Sequence, residues 1–253
     1  MGTVNMAVDF GGVKMQNPIN TAAGTFGYGW QFQNFFDVSQ LGAITTKGCA
    51  AEPWPGNPAP RMAEIPGGMI NSVGLQNPGV AAFARESGPW LEQLSKDGCQ
   101  VICQVAGHSV DEFVRALEMY VELCPWAAGY EINVSCPNIA AGGAAMGSSP
   151  EGASAVMAAC RKVTDKPLFV KMAPVNVAEI AKALEGRVAP YGLSVHQLHP
   201  GHGHRCSYSQ VPRGQAQGWP FGPAVPPHRR AHGLGGRPGC RYPHQWRRRR
   251  HDR

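Results

Sequence analysis

The chain has 253 residues, a formal net charge of +6, 43% hydrophobic and 16% charged residues, a size suited to one large α/β domain or two modest ones. No apolar run reaches the roughly 18 residues that cross a bilayer, and the N-terminus lacks the basic-then-apolar pattern of a secretory leader. Eight irregularly spaced cysteines with no CxxC pair argue against a zinc site or a disulfide scaffold, so a reduced, cytoplasmic, metal-free enzyme is expected.

In chain order, Val8–Phe10 and Val13–Met15 flank Gly11-Gly12 and predict an opening hairpin. Ile19–Ala23 is a strand candidate, Trp30–Ser39 a helical stretch, and Ala43–Lys47 a second strand. Met69–Val73 is loop-like or a short strand, and Val80–Leu94 has apolar residues at helical spacing. Gln100–Val105 predicts a strand, Val110–Leu123 a strongly periodic helix, and Gly129–Val134 a strand. Pro150–Thr164 predicts a helix, Pro167–Met172 a strand, Val177–Leu184 a helix, and Gly192–Val195 the start of one more strand.

Strands alternating with helices imply parallel βαβ units, in either a doubly wound sheet or a barrel. Lys47, Ser135-Cys136 and Lys171 all fall at or near strand ends, which suits a (β/α)8 barrel with its site at the C-terminal face. No GxGxxG follows an early strand, which weakens the dinucleotide-fold alternative.

The densest chemistry is Glu131-Ile-Asn-Val-Ser-Cys-Pro-Asn138, followed by Gly142-Gly143 and Gly147. A thiol at Cys136 can accept a proton where its surroundings favour thiolate, and the Asn133 and Asn138 amides suit a planar, carbonyl-rich ligand. A half-buried cysteine beside turn-forming asparagines fits the same residues equally well. Asn71-Ser-Val-Gly-Leu-Gln-Asn-Pro-Gly79 could wrap a polar ligand or be an ordinary turn-rich loop. Lys47 and Lys171, each in an apolar strand, need an anionic partner if buried; as surface lysines they need none.

The motifs Asn17–Gly27, Thr46-Lys-Gly48, Gly56–Arg61, Pro66–Gly79, Asn133–Asn138 and Val170–Pro174 occur in the order found in dihydroorotate dehydrogenases. From about Met6 to Val195 the chain resembles that family, specifically its class 1 and most closely the flavin subunits of the NAD-linked 1B type. The resemblance implies an FMN-containing TIM barrel that oxidises dihydroorotate to orotate in pyrimidine synthesis. It implies Cys136 as the base that removes the C5 proton, where class 2 enzymes use serine. It also implies Lys47, Asn71, Ser72, Val73, Gly74, Leu75 and Asn133 as substrate-binding, and Ala23, Lys47, Gly48, Gln104, Asn133 and Lys171 as flavin-binding. Gln104 stands where an asparagine is usual, and Met146 where phenylalanine is common. A partner subunit would hold FAD and a 2Fe–2S cluster, and intact members imply a homo-oligomer. A dihydropyrimidine dehydrogenase-like flavoenzyme, which shares the cysteine loop, is the alternative within the family.

Beyond Val195 the composition changes. Residues 196–253 hold 11 of the 23 basic residues, eight of the nine histidines and one acid, Asp252, with too few apolar side chains to offset the entropy of ordering. A basic arm for nucleic acid would explain the arginines, but such arms usually mix lysine with arginine. A histidine-rich metal tract would explain His199, His202 and His204, but their surroundings do not repeat. A shifted reading frame explains more. Codons for His196–Arg205, read one nucleotide later, permit Ile-Asn-Ser-Ile-Gln-Gly-Met-Ala-Ile-Asp. Those for Gln217–Gly222 permit Gly-Gly-Leu-Ser-Gly, and those for Arg241–Asp252 permit Asp-Ile-Pro-Ile-Asn-Gly-Gly-Gly-Gly-Val-Met. These are the later strands and phosphate loop that the resemblance implies, in order. The expected organisation is therefore a partial FMN-binding barrel over 1–195, with about five to six β/α units, and a non-native, frameshifted, disordered tail over 196–253 that impairs flavin binding. An inactive fragment whose basic tail binds nucleic acid is the rival from another class.

Overall fold

Gly11 and Gly12 adopt φ of 54° and 91°, a region that glycine enters without Cβ strain. They turn β1 (Val8–Phe10) back onto β2 (Val13–Met15), pairing Val8 with Met15. The structure, a computed structural model, describes residues 4–65, 68–135, 147, 149–172, 176–187, 192–195, 201–202 and 217–221. After the hairpin come the short α1 (Ala23–Phe26) and two 3-10 turns, Trp30–Asn34 and Val38–Gln40. Then follow β3 (Ala43–Thr45), β4 (Met62–Ile65) and β5 (Gly68–Asn71).

Helices α2 (Val80–Glu86) and α3 (Gly88–Lys96) lead into β6 (Gln100–Val105), α4 (Val110–Leu123) and β7 (Gly129–Asn133). Helix α5 (Pro150–Arg161), β8 (Leu168–Met172), α6 (Val177–Arg187) and β9 (Gly192–Val195) follow. Two short strands, β10 (Gly201–His202) and β11 (Gln217–Phe221), complete the described elements.

Strands β3, β6, β7, β8 and β9 form one parallel sheet in that order. Alternate side chains go to opposite faces of a strand. From the central strands, Val101, Cys103, Val105, Tyr130, Ile132, Leu168 and Val170 join one buried cluster with Phe113, Leu117 and Tyr120 of α4 and Met157 and Cys160 of α5. On the other face, Ala43, Ile102 and Phe169 pack against Val13 and Met15 of the hairpin, and Phe10 stacks on Phe169 with ring centroids 4.8 Å apart. Helices thus cover the outer face while the hairpin closes the N-terminal end of the inner one. That is the arrangement of a partial α/β barrel rather than a doubly wound sheet.

Local chemistry sets the helix boundaries. Ser109 caps α4 by accepting from the Glu112 N–H at 3.2 Å, within the Ser-x-x-Glu pattern that marks helix starts. Ser149 does the same for α5, accepting from Gly152 N–H at 3.1 Å just before Pro150, a residue suited to a first turn.

The helix expected over Val80–Leu94 is broken at Ser87, because Pro89 lacks an N–H and disfavours a continuous helix through the preceding turn. The strand expected over Ile19–Ala23 is reduced to a single parallel bridge, Asn20 to Ala43. The helical stretch expected over Trp30–Ser39 is the pair of 3-10 turns. Outside the parallel sheet, β4 and β5 form a hairpin continued by β11 and β10, in the order β10-β11-β5-β4. Trp219 lies opposite Asn71 in that register. Among the described residues no helix is long and apolar enough to cross a membrane.

Candidate functional site

At the C-terminal ends of the parallel strands the inner face changes from apolar to polar. Gln104, Glu131, Asn133 and Lys171 lie on neighbouring strands, with Gln104 in register with Glu131 and Asn133 with Lys171. Lys47 follows β3, and its backbone N–H donates to Gly27 O at 2.7 Å, bringing the Ala23–Gly27 turn against it. Ala23 itself is buried. The sequence-predicted residues Ala23, Lys47, Gly48, Gln104, Asn133 and Lys171 therefore gather at this end of the sheet.

Three of the polar groups are joined directly. Gln104 Nε2 donates to Glu131 Oε1 at 2.5 Å, and Asn133 Nδ2 donates to Gln104 Oε1 at 3.3 Å. Asn133 Oδ1 accepts from the Ser135 hydroxyl at 2.5 Å and from its N–H at 3.2 Å. Gln104, Glu131 and Asn133 are each buried, where an unpaired polar group is costly. Thr21 Oγ1 is buried with no hydrogen-bond partner among the described residues.

The two lysines have the opposite problem. Among the described residues neither ammonium has a hydrogen bond or ion pair. Burial pulls the Lys47 pKa below its ordinary value, and the Lys171 charge adds to the effect. Burial also lowers the pKa of Lys171, with the Glu131 carboxylate opposing it. Two partly buried lysines whose charges disfavour each other call for an anionic or carbonyl-bearing ligand.

The loop from Asn71 to Leu75 is held from behind by residues 57–61. Asn57 Nδ2 donates to Ser72 O at 2.9 Å and Ser72 Oγ at 3.0 Å, while Asn57 N–H donates to Val73 O at 3.1 Å. Ser72 N–H donates to Arg61 O at 2.8 Å, and the Arg61 guanidinium reaches the Gln76 side chain. Gly74 has φ of 72°, and a Cβ there would sit 2.9 Å from the Asn57 backbone nitrogen; only glycine fits that approach. Asn77 clamps the far end, accepting from Ala50 N–H at 3.1 Å and Gly79 N–H at 3.0 Å. A crevice of about 490 Å³ opens beside Lys47, with Tyr28, Gln31, Trp54 and Gln76 among its walls.

Cys136 lies outside the described residues, one position beyond Ser135. On the return side, a Cβ at Gly147 would fall 1.7 Å from Val134 O, so the chain comes back hard against the end of β7. The cysteines at 49, 99, 103, 124 and 160 are buried free thiols, and burial raises the pKa of each, keeping them protonated and unreactive. Among the described residues no cluster of three His, Cys, Asp or Glu side chains could hold a metal.

Sequence reasoning assigns no role to Glu131, Thr21 or Asn57. Period two offers a route to Glu131, since it shares a strand face with Asn133; the cradle formed by Asn57 and Arg61 carries no periodic signal.

Comparison with known proteins agrees with the geometry. The family model for dihydroorotate dehydrogenase matches residues 5–194. A protein of Geotalea uraniireducens named dihydroorotate dehydrogenase B (NAD(+)), catalytic subunit, is 43% identical over 185 residues, covering 72% of this chain and 59% of that protein. The protein of the same name from Alkaliphilus metalliredigens is 42% identical over 193 residues, covering 75% of this chain and 61% of that protein. This chain thus spans about three fifths of the length of these relatives. A crystal structure of DHODH from Eimeria tenella in complex with ferulenol superposes with a TM-score of 0.62 at 18% identity, covering 85% of this chain and 65% of that one; it shares the fold.

Proposed function

The chain belongs to the dihydroorotate dehydrogenase family, and from that membership we propose that its body is built to oxidise dihydroorotate to orotate with FMN as electron acceptor. The observation that carries this is a trio at one strand mouth: the half-buried side chains of Lys47 and Lys171, with no hydrogen bond or close ion pair among the described residues, and the buried amide of Asn133. The donor set fits a flavin: two cations and an amide suit a carbonyl-bearing ring that gains electrons, and the orphaned Thr21 hydroxyl offers a further polar group.

In this proposal Lys47 and the Asn71–Leu75 loop hold the substrate carboxylate and carbonyls, and Ala23, Gly48, Asn133 and Lys171 line the flavin. Cys136, as thiolate, takes the proton from substrate C5. Bound FMN supplies the acceptor for the two electrons that leave with the C6 hydrogen. Electrons would pass on to NAD through a partner subunit carrying FAD and a 2Fe–2S cluster; the names of the relatives, catalytic subunits of an NAD(+) enzyme, support the acceptor and the partner subunit, and the resemblance alone implies the partner's two groups.

For the segment 196–253 we propose an out-of-frame reading, supported by the codon coincidences and by a family match that stops at residue 194. Barrels of this type bind phosphate after strands 7 and 8, so flavin affinity is expected to be weaker than in a frame-restored chain. Resequencing the DNA around codons 185–200 tests the frame, and an undisturbed gene would overturn it. The activity is tested by anaerobic mixing of the FMN-supplemented protein with dihydroorotate or dihydrouracil. Flavin bleaching by dihydroorotate and not by dihydrouracil is expected, lost in Cys136→Ala; preference for dihydrouracil would overturn the assignment.

A further inference from the structure

Primary amides are ambiguous groups: rotating one by half a turn exchanges a donor for an acceptor. At this site the ambiguity is removed by a chain of directed bonds. An ionised Glu131 can only accept, so the side chain of Gln104 must present its Nε2 to the carboxylate, as it does at 2.5 Å. That leaves Gln104 Oε1 facing Asn133, which must answer with Nδ2, at 3.3 Å. Asn133 Oδ1 is then turned to the Ser135 N–H and hydroxyl. Flipping either amide would set two acceptors face to face.

The backbone of Gln104 is equally fixed. Its N–H donates to Thr46 Oγ1 at 3.3 Å, and its C=O accepts from the Tyr120 hydroxyl at 3.3 Å and the Cys49 N–H at 3.2 Å. Space for this amide comes from position 48. A Cβ on Gly48 would lie 2.6 Å from Gln104 Oε1 and 3.3 Å from its Cδ and Cγ. The end of a free glutamine could swing away cheaply. This one cannot move without breaking its bonds to Glu131 and Asn133.

We infer that Gln104 is a positioning residue: with Glu131 behind it and Gly48 making room, it fixes Asn133 as a hydrogen-bond donor toward the ligand at the strand mouth. The ligand group selected is therefore a carbonyl-type acceptor on a planar ring. The consequence for flavin rests on the function proposed above; the relay among Glu131, Gln104, Asn133 and Gly48 does not.

Two readouts on the full chain separate these levels: urea unfolding, and quenching of FMN fluorescence on titration. Gln104→Leu keeps the side-chain volume and removes the relay; it is expected to fold and to weaken FMN binding at least tenfold. Glu131→Gln lets both amides rotate and is expected to weaken it several-fold. Gly48→Ala is expected to lower the unfolding constant and the affinity together. Gly48→Ala combined with Gln104→Asn, whose shorter amide withdraws from position 48, is expected to recover stability, while Gln104→Leu, which leaves Gly48 in place, is expected to keep stability and lose affinity, a split that a purely structural role would not produce. Wild-type affinity in Gln104→Leu, or equal stability costs of Gly48→Ala in the wild-type and Gln104→Asn backgrounds, would overturn the inference. If wild-type protein fails to quench FMN at any concentration, the flavin proposal falls, and the stability cycle alone decides whether the relay exists.

Discussion

The two ends of the same parallel strands are built on different principles. At the N-terminal end the inner face presents Ala43, Ile102 and Phe169, closed by Val13 and Met15 of the hairpin. Two residues further along the same strands it presents Thr45, Gln104 and Lys171, with Glu131 and Asn133 between them. One end gains stability from apolar burial. The other holds polar and charged groups whose cost is met partly by a hydrogen-bonded relay and, in the function proposed, partly by a ligand. A single step of period two thus divides a strand into a structural half and a chemical half.

The largest effect expected on this division is at the apolar end. Phe169→Ala removes a ring that is 2% exposed and stacked on Phe10, and should cost about 3–5 kcal/mol in urea unfolding. The chemical end should answer in the opposite direction. Lys47→Met removes a cation disfavoured by burial and by Lys171, and should raise the urea midpoint of the ligand-free protein while reducing flavin affinity at least tenfold. A helix cap away from both ends gives the reference scale: Ser109→Ala should cost about 1 kcal/mol and leave ligand binding unchanged.

The smallest effect is a slope with pH. Lys47 faces Lys171, Arg61 and Cys49, and Lys171 faces Glu131. Both lysines titrate below their ordinary value of 10.5, so between the lowered folded values and 10.5 the unfolded chain binds more protons than the folded one. Stability of the ligand-free protein should therefore rise with pH across that window, as affinity for an anionic ligand falls. Denaturation midpoints across alkaline pH check the sign, and Lys47→Met should flatten the slope.

Much of this is legible in the sequence because periodicity and strand-end placement carry it. Helix α4 matches its expected span Val110–Leu123, since Ser109 caps it and its apolar residues repeat faithfully. Lys47, Asn133 and Lys171 are legible as strand-end polar residues, and the structure brings them together. What the sequence hides is long-range. The 3-10 turns at Trp30–Asn34 and Val38–Gln40 share helical spacing with an α-helix, so pattern alone cannot separate them. Strand β4 escapes sequence reading because its partner, β5, rather than its own propensity, makes it a strand. The resemblance implies Gln104 as a flavin contact; that its amide also joins Glu131 and Asn133 depends on two neighbouring strands in register and is hidden from the sequence.

The lysine pair at the strand mouth is the centre of the account, and titration of FMN into wild-type protein and into the Lys47→Met, Lys171→Met double variant tests it most directly. Saturable quenching of flavin fluorescence by the wild type, absent in a double variant that is folded and more stable, is the predicted result. Equal affinity in the two proteins would contradict it.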